Sequence, residues 1–372
     1  MIKERLRLFM ADMLTRKRLI FIAIYIAVLS AVVYARGLAL AGLISGRYRF
    51  SSFLFDVIAL GLILILLHIF SYGVRRAVAG IIKPKTRARK LVTGLLHFGI
   101  VVFIAGPFLF AAIQLHPQKV SPKGTPADAG LKNYTDVSFY SDGIRLSGWF
   151  IPAGQSKKPV ILVTHGLGVN KENFLKPVAM VHQLGYNALI CDFRAHGDSG
   201  GYLTTFGIKE SRDIKAAYDW ITRTCPGVPV YALSYSMGGS AVIRAAAEYG
   251  IFNRIVIDAS FGQLETVARA KVLKNFGPLA TPVWYLSRFW GWVWTGVDIA
   301  DNQPEKLMPR LDGRRVMIIH GTADSFIPYT ESIRLYEATN RKAQLWLVDG
   351  ADHVQSMDQP EYKTRLKSFY GD

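Results

Sequence analysis

Two cysteines in 372 residues, Cys191 and Cys225, are too few for a disulfide framework, and their spacing is not that of a metal site. Cys191 lies in an apolar run and reads as a buried core thiol; a single bond between the two stays open and does not identify the compartment. Acidic residues are also scarce, 27 against 45 Lys and Arg. The shortage is concentrated at one end: residues 1–116 hold 16 basic and 3 acidic side chains, which is thirteen of the eighteen excess positive charges. A basic excess that flanks apolar runs is a topology signal, and it argues against a nucleic-acid partner. No internal repeat and no low-complexity tract is present.

Apolar residues are abundant. They make up 51% of the chain, and the mean hydropathy is +0.21, too greasy for an ordinary soluble enzyme. Three long runs account for this: residues 19–35, 53–73 and 92–115. Each approaches the ~20 residues that span a bilayer as a helix, so 1–116 reads as a membrane region of three transmembrane helices. The first run also fits a signal-peptide core with ALA at 39–41 as the cleavage site, but its length and the two runs after it favour an uncleaved helix. Lys3, Arg5, Arg7, Arg16, Lys17 and Arg18 precede the first run. Arg36, Arg47 and Arg49 follow it, and seven basic residues from Arg75 to Lys90 follow the second. The positive-inside rule puts the N-terminus and the second loop in the cytoplasm. Three crossings then leave everything after Leu115 outside. The expectation is a multi-pass protein of a bacterial inner membrane, with the bilayer as a partner and the remaining domain extracytoplasmic. Asp56 and His68 lie within the second run, and Asp56 sits near its end, where an interface contact is the simpler reading.

Residues 117–133 are rich in Pro, Gly and Lys and read as a linker. From 134 to 372 the pattern becomes strands alternating with helices. Strands are expected at 135–140, 144–151, 160–164, 188–193, 229–234, 254–259, 315–320 and 343–348. Helices are expected at 171–184, 208–224, 237–249, 330–340 and 359–370. The later strands are near-continuous apolar runs, as in a parallel sheet covered on both faces. The sum is a doubly wound α/β domain with an antiparallel start.

The run YALSYSMGGS at 231–240 ends a strand on two serines and two glycines. A nucleophile exposed at a sharp strand-to-helix turn needs small residues two positions before and after it. Ser236 has Ser234 and Gly238 there, an S-x-S-x-G variant of that elbow. Ser234 is the rival, but it would put the turn inside the apolar strand and lose the glycine. Only two histidines follow, His320 and His353. His353 lies past the last strand, and Asp324 follows the strand before it. Ser236, Asp324 and His353 thus stand in triad order, with Asp258 as the reserve acid. VTHGLGVN at 163–170 supplies a glycine-rich turn for an oxyanion hole, with the backbone N–H groups of Leu167 and Met237 as donors. Asp192, Arg194 and His196 read as a network bracing the loop at 191–201.

Together the segments DVSFYSDGIRLSGWFIP, VTHGLG, DFRAHGDSGG, SYSMGG, HGTADSFIP and GADH resemble the α/β-hydrolase superfamily. They are most similar to its serine aminopeptidase-like and cephalosporin-deacetylase-like branch of bacterial hydrolases. The resemblance covers about residue 125 to the end and implies the α/β-hydrolase fold and a Ser-His-Asp hydrolase that needs no metal or cofactor. It is weak on substrate, because this fold hosts many chemistries. Residues 262–309 exceed one crossover and read as a cap. Trp284, Trp290, Trp292 and Trp294 within it suit an acyl-binding or membrane-contacting surface, or plain aromatic packing. The leading expectation is hydrolysis of an ester, such as a lipid or acyl ester. Amide or peptide hydrolysis by the same triad is one alternative, and a catalytically inactive membrane interaction module is another. The sequence fixes no oligomeric state.

Overall fold

The computed structural model describes residue 73, residues 87–154 and residues 158–371. The first apolar run, all of the second except Gly73, and the basic residues before Arg87 lie outside the described residues. The third run is helical: α1 spans Arg87–Leu115. Among the described residues, no helix is long and apolar enough to cross a membrane. This corrects the expected span at 92–115. The last turns of α1 are buried in protein, with Phe108, Ala111 and Leu115 each under 7% exposed. The chain divides into compact units at Gly106/Pro107, so Pro107–Leu115 belongs with the α/β domain and the boundary expected at residue 116 moves forward.

The stretch expected as a linker is tied down. Pro126–Ala129 forms a 3-10 turn, and Leu131 is buried in the core. Glu172 accepts from the amides of Lys123 and Gly124, and Asn170 Nδ2 donates to Val120 O at 2.9 Å. These bonds occupy backbone groups that an extended linker leaves to water.

Eight strands form one sheet in the order β1-β2-β4-β3-β5-β6-β7-β8. They are β1 Thr135–Ser141, β2 Ile144–Ile151, β3 Val160–Thr164, β4 Asn187–Cys191, β5 Val230–Tyr235, β6 Arg254–Asp258, β7 Arg315–Gly321 and β8 Gln344–Val348. β1–β2 and β2–β4 pair antiparallel, and the other neighbours pair parallel. The parallel strands alternate side chains between two cores, as their two-residue period requires. Leu162, Leu189, Ala232, Ile257 and Ile318 meet one layer, which includes helices α3 Glu210–Thr224 and α4 Met237–Tyr249. Val163, Ile190, Leu233, Val256 and Ile319 meet the other, which includes α2 Leu175–Gln183 and α8 Glu361–Gly371. Helices on both faces explain why these strands read as unbroken apolar runs.

Between β6 and β7 the chain leaves the sheet to form a cap of two helices, α5 Leu264–Phe276 and α6 Ala280–Thr295, followed by 3-10 turns. α7 Thr330–Ala338 then joins β7 to β8. Both cysteines are free, Cys191 deep in the core.

Candidate active site

Ser236 stands between β5 and α4 with φ 52° and ψ −121°, a strained backbone for a residue with a side chain. Its neighbours make the turn possible. A Cβ on Gly238 would lie 2.4 Å from Thr164 Oγ1 and 2.7 Å from His165 O, and one on Gly239 would lie 2.6 Å from Ser260 Cβ. Only glycine allows α4 to start this close to the ends of β3 and β6. The Ser236 amide donates to Asp258 O at 2.8 Å and fixes the turn from the other side. The rival serine is engaged elsewhere: Ser234 is fully buried, and its hydroxyl donates to Val256 O at 2.7 Å. That bond explains how the elbow tolerates serine where glycine is usual.

His353 follows β8, and its Nε2 lies 3.0 Å from Ser236 Oγ. Its Nδ1 lies 2.7 Å from Asp324 Oδ2. A carboxylate only accepts, so Nδ1 carries the proton and Nε2 is left to accept from the serine. The Asp324 side chain has no exposed surface. Burial pushes its carboxyl up. Hydrogen bonds from His320, His353 and the Ile327 amide outweigh that and hold it well below the ordinary carboxylate range. Asp258 does not reach the imidazole. Its carboxylate accepts from Ser356 Oγ at 2.6 Å and Tyr362 OH at 2.9 Å. Burial raises it to about 6 despite those bonds.

The loop after β3 faces the serine. A Cβ on Gly166 would come within 3.1 Å of Ser236 Cβ. His165 Nδ1 lies 2.7 Å from Gly166 O, and its Nε2 accepts from the Phe193 amide at 3.0 Å. That pattern requires the proton on Nδ1, and burial lowers the pKa of His165 to about 4, which keeps it neutral. The carbonyl of Gly166 and the N–H of Leu167 belong to one trans peptide and point in opposite directions. By holding the carbonyl, His165 sets the direction of the Leu167 N–H. Met237 supplies the first N–H of α4, free of an intrahelical acceptor by position. Both residues line the same cavity as Ser236.

That cavity measures about 90 Å³ and is largely apolar. One face of α5, Leu264, Val267, Ala268 and Lys271, forms one wall at helical spacing. Trp284, Ser287 and Gly291 of α6 form another, and the end of α1 closes it through Phe110, Ala111 and Leu115. Of the four tryptophans, only Trp284 lines the cavity. Trp290 and Trp294 pack on Phe108 with ring centroids at 5.2 and 4.8 Å, and Trp292 is 54% exposed. Helical period is the reason: residues 284, 287 and 291 share a face, whereas 290 and 294 lie on the next and 292 points outward.

Sequence reasoning missed two supporting histidines. His165 lies within the glycine-rich turn at 163–170, and its position directly before Gly166 was the available signal. His320 Nε2 lies 3.1 Å from Asp324 Oδ2 and 3.0 Å from Ile327 O, both acceptors, so it donates to the carboxylate that also receives His353. Its sequence signal was a strand-end histidine four residues before that acid. The loop at 191–201 is braced as expected. Asp192 pairs with buried Lys171 at 2.6 Å, Arg194 pairs with buried Asp213 at 2.6 Å, and His196 Nδ1 lies 2.8 Å from Arg194 O.

Residues 160–362, more than half of the chain, match the model of the alpha/beta hydrolase family. The chain belongs to that family. It is 26% identical to YfhR of Salmonella typhi over 67% of this chain and 80% of that protein. It is 24% identical to the monoglyceride lipase of Homo sapiens over 66% of this chain and 91% of that one. Among solved structures it is similar to the Pyrococcus furiosus esterase Pf2001, with a TM-score of 0.56 and 28% identity over 69% of this chain and 98% of that one. The last two are a lipase and an esterase, and this chain is a hydrolase-fold protein.

Proposed function

We propose that this protein is a membrane-anchored serine hydrolase that cleaves esters of apolar acyl chains. The observation that carries the reading is the 3.0 Å approach of His353 Nε2 to Ser236 Oγ at the edge of an apolar cavity. In the first step His353 takes the proton of Ser236 as Oγ attacks the ester carbonyl. The oxyanion that forms is stabilised by the N–H groups of Leu167 and Met237, pre-aimed by the elbow and by His165. Asp324 stabilises the imidazolium, which then protonates the departing alcohol and leaves an acyl-Ser236. Water, activated by the same imidazole, releases the acid. The esterase and lipase among the similar proteins support an ester over an amide. Anchoring is supported by the basic-flanked apolar runs at 19–35 and 53–73.

The test is a fluorophosphonate probe together with a series of p-nitrophenyl esters. Wild type is expected to be labelled and to prefer acyl chains longer than acetyl, and Ser236→Ala to lose both labelling and turnover. Labelling that survives Ser236→Ala, or an absence of ester turnover by labelled wild type, overturns the reading.

A further inference from the structure

Lys271 is the one charged side chain among the described residues that line the cavity. It is partly buried and forms no ion pair among the described residues. Its near partners are neutral: Gln114 Oε1 at 3.4 Å, and the face of Phe326, whose centroid is 4.8 Å from Nζ. Burial lowers its pKa, and no carboxylate offsets that shift. A second donor, on the α6 wall, has no partner. Trp284 is 2% exposed, and its Nε1 has no hydrogen-bond acceptor. A buried N–H without an acceptor and a partly buried ammonium with only neutral neighbours are both costly unless a ligand brings the acceptors.

The position of Lys271 indicates which part of a substrate it meets. Phe326, which carries the ammonium on its face, packs against the His353 imidazole with centroids 5.2 Å apart. His353 hands its proton to the leaving alcohol, so the alcohol part departs on the imidazole side. The acyl chain has the apolar remainder, between Phe110, Ala111, Val267 and Trp284. We infer that the preferred substrate is an apolar acyl ester whose alcohol part carries an anionic group, selected by Lys271. This rests on the ester-hydrolase reading above and names its substrate class.

The experiment compares two esters of one acyl chain, 1-decanoylglycerol and its glycerol 3-phosphate counterpart, with the full chain in a non-ionic detergent. Wild type is expected to show a kcat/KM at least roughly tenfold higher for the phosphate ester, the size of a hydrogen bond to a charged group. Lys271→Met is expected to remove that ratio and Lys271→Arg to keep most of it. Because the readout is a ratio, partial loss of active protein cancels. A wild-type ratio near one, or an unchanged ratio in Lys271→Met, overturns the inference. If the neutral ester is still cleaved in a Ser236-dependent manner, the hydrolase reading stands while the selection fails. If neither ester is cleaved by protein that a fluorophosphonate labels at Ser236, this substrate class is wrong.

Discussion

His320 donates to the same oxygen of Asp324 that receives His353, at 3.1 Å against 2.7 Å. His320 touches neither serine nor substrate space, and its own Nδ1 lies 2.6 Å from Ser332 Oγ. It is therefore a positioning residue that fixes the carboxylate from behind.

Removing that support lowers turnover without abolishing the triad. His320→Ala is expected to cut kcat by about ten- to a hundredfold, the value of a hydrogen bond to a charge, with KM little changed. His320→Gln, whose amide can reach the Nε2 position, restores part of the loss. Asp324→Asn removes the orienting charge itself and costs on the order of 10⁴ in kcat. Equal KM and kcat losses in His320→Ala, or no rescue by glutamine, show a general folding defect instead.

The elbow separates its two serines. Ser234→Ala removes a buried bond to Val256 O and leaves that carbonyl without its side-chain donor. The expected cost is about 1–3 kcal/mol of stability, with fluorophosphonate labelling retained. Gly238→Ala forces a methyl into Thr164 and His165 O and is expected to cost more than either serine variant. Urea unfolding combined with probe labelling checks both. Loss of labelling in Ser234→Ala with a normal unfolding curve assigns the chemistry to the wrong serine.

The sheet was legible because helices cover both its faces. Strands such as Val160–Thr164 then had to be apolar throughout, and all eight could be read from the chain. The meeting of Ser236, Asp324 and His353 was legible because a serine at a sharp strand-to-helix turn needs small neighbours and the other two follow strand ends in a set order. The division of the tryptophans was not legible. Four tryptophans within eleven residues carry one apolar signal, and only the helix phase, set by packing on Phe108, turns Trp284 alone of the four toward the serine. The burial of Pro107–Leu115 was hidden for a related reason: an apolar helix face reads alike whether it meets lipid or a cap.

Stability against pH tests two buried groups whose effects oppose each other. His165 has its pKa lowered to about 4, so the unfolded chain binds more protons below its ordinary 6.5. Its contribution is full above that value and is lost as pH falls toward 4. Asp258 is raised from 3.8 to about 6, so the folded chain holds the proton longer. Its contribution is full below 3.8 and is lost as pH rises through 6. Each amounts to about 3 kcal/mol at about 1.4 kcal/mol per pH unit. They largely cancel between pH 4 and 6, and single variants expose them. Asp258→Asn is expected to make stability rise more steeply with pH in that window, and His165→Asn to make it fall. Parallel curves for the two variants contradict this assignment.

The basic residues around the first two apolar runs make a topological prediction. A reporter active only outside the cytoplasm, fused between the two runs at Arg47, is expected to be active, and the same reporter fused at Lys85 to be silent. A reversed pair overturns the orientation read from these basic residues.

The last prediction concerns the length of the acyl chain. Gly291 opens the α6 wall, and a Cβ there meets only Leu115 Cδ1, at an ordinary 3.7 Å. The backbone at this position therefore accepts a Cβ, and replacing a helix-interior glycine gains up to about 1 kcal/mol. A side chain there also occupies space that the acyl chain needs. Each methylene buried there contributes about 0.8 kcal/mol, so excluding two or three of them costs roughly 15- to 60-fold in kcat/KM. Gly291→Leu is accordingly expected to lower the decanoyl-to-acetyl ratio by that order while the melting temperature holds or rises. Trp292→Ala, on the outer face of the same helix, is expected to leave the ratio in soluble esters unchanged. If Trp292→Ala shifts the ratio and Gly291→Leu does not, the acyl chain lies outside the cavity, and the cap's outer surface becomes its binding site.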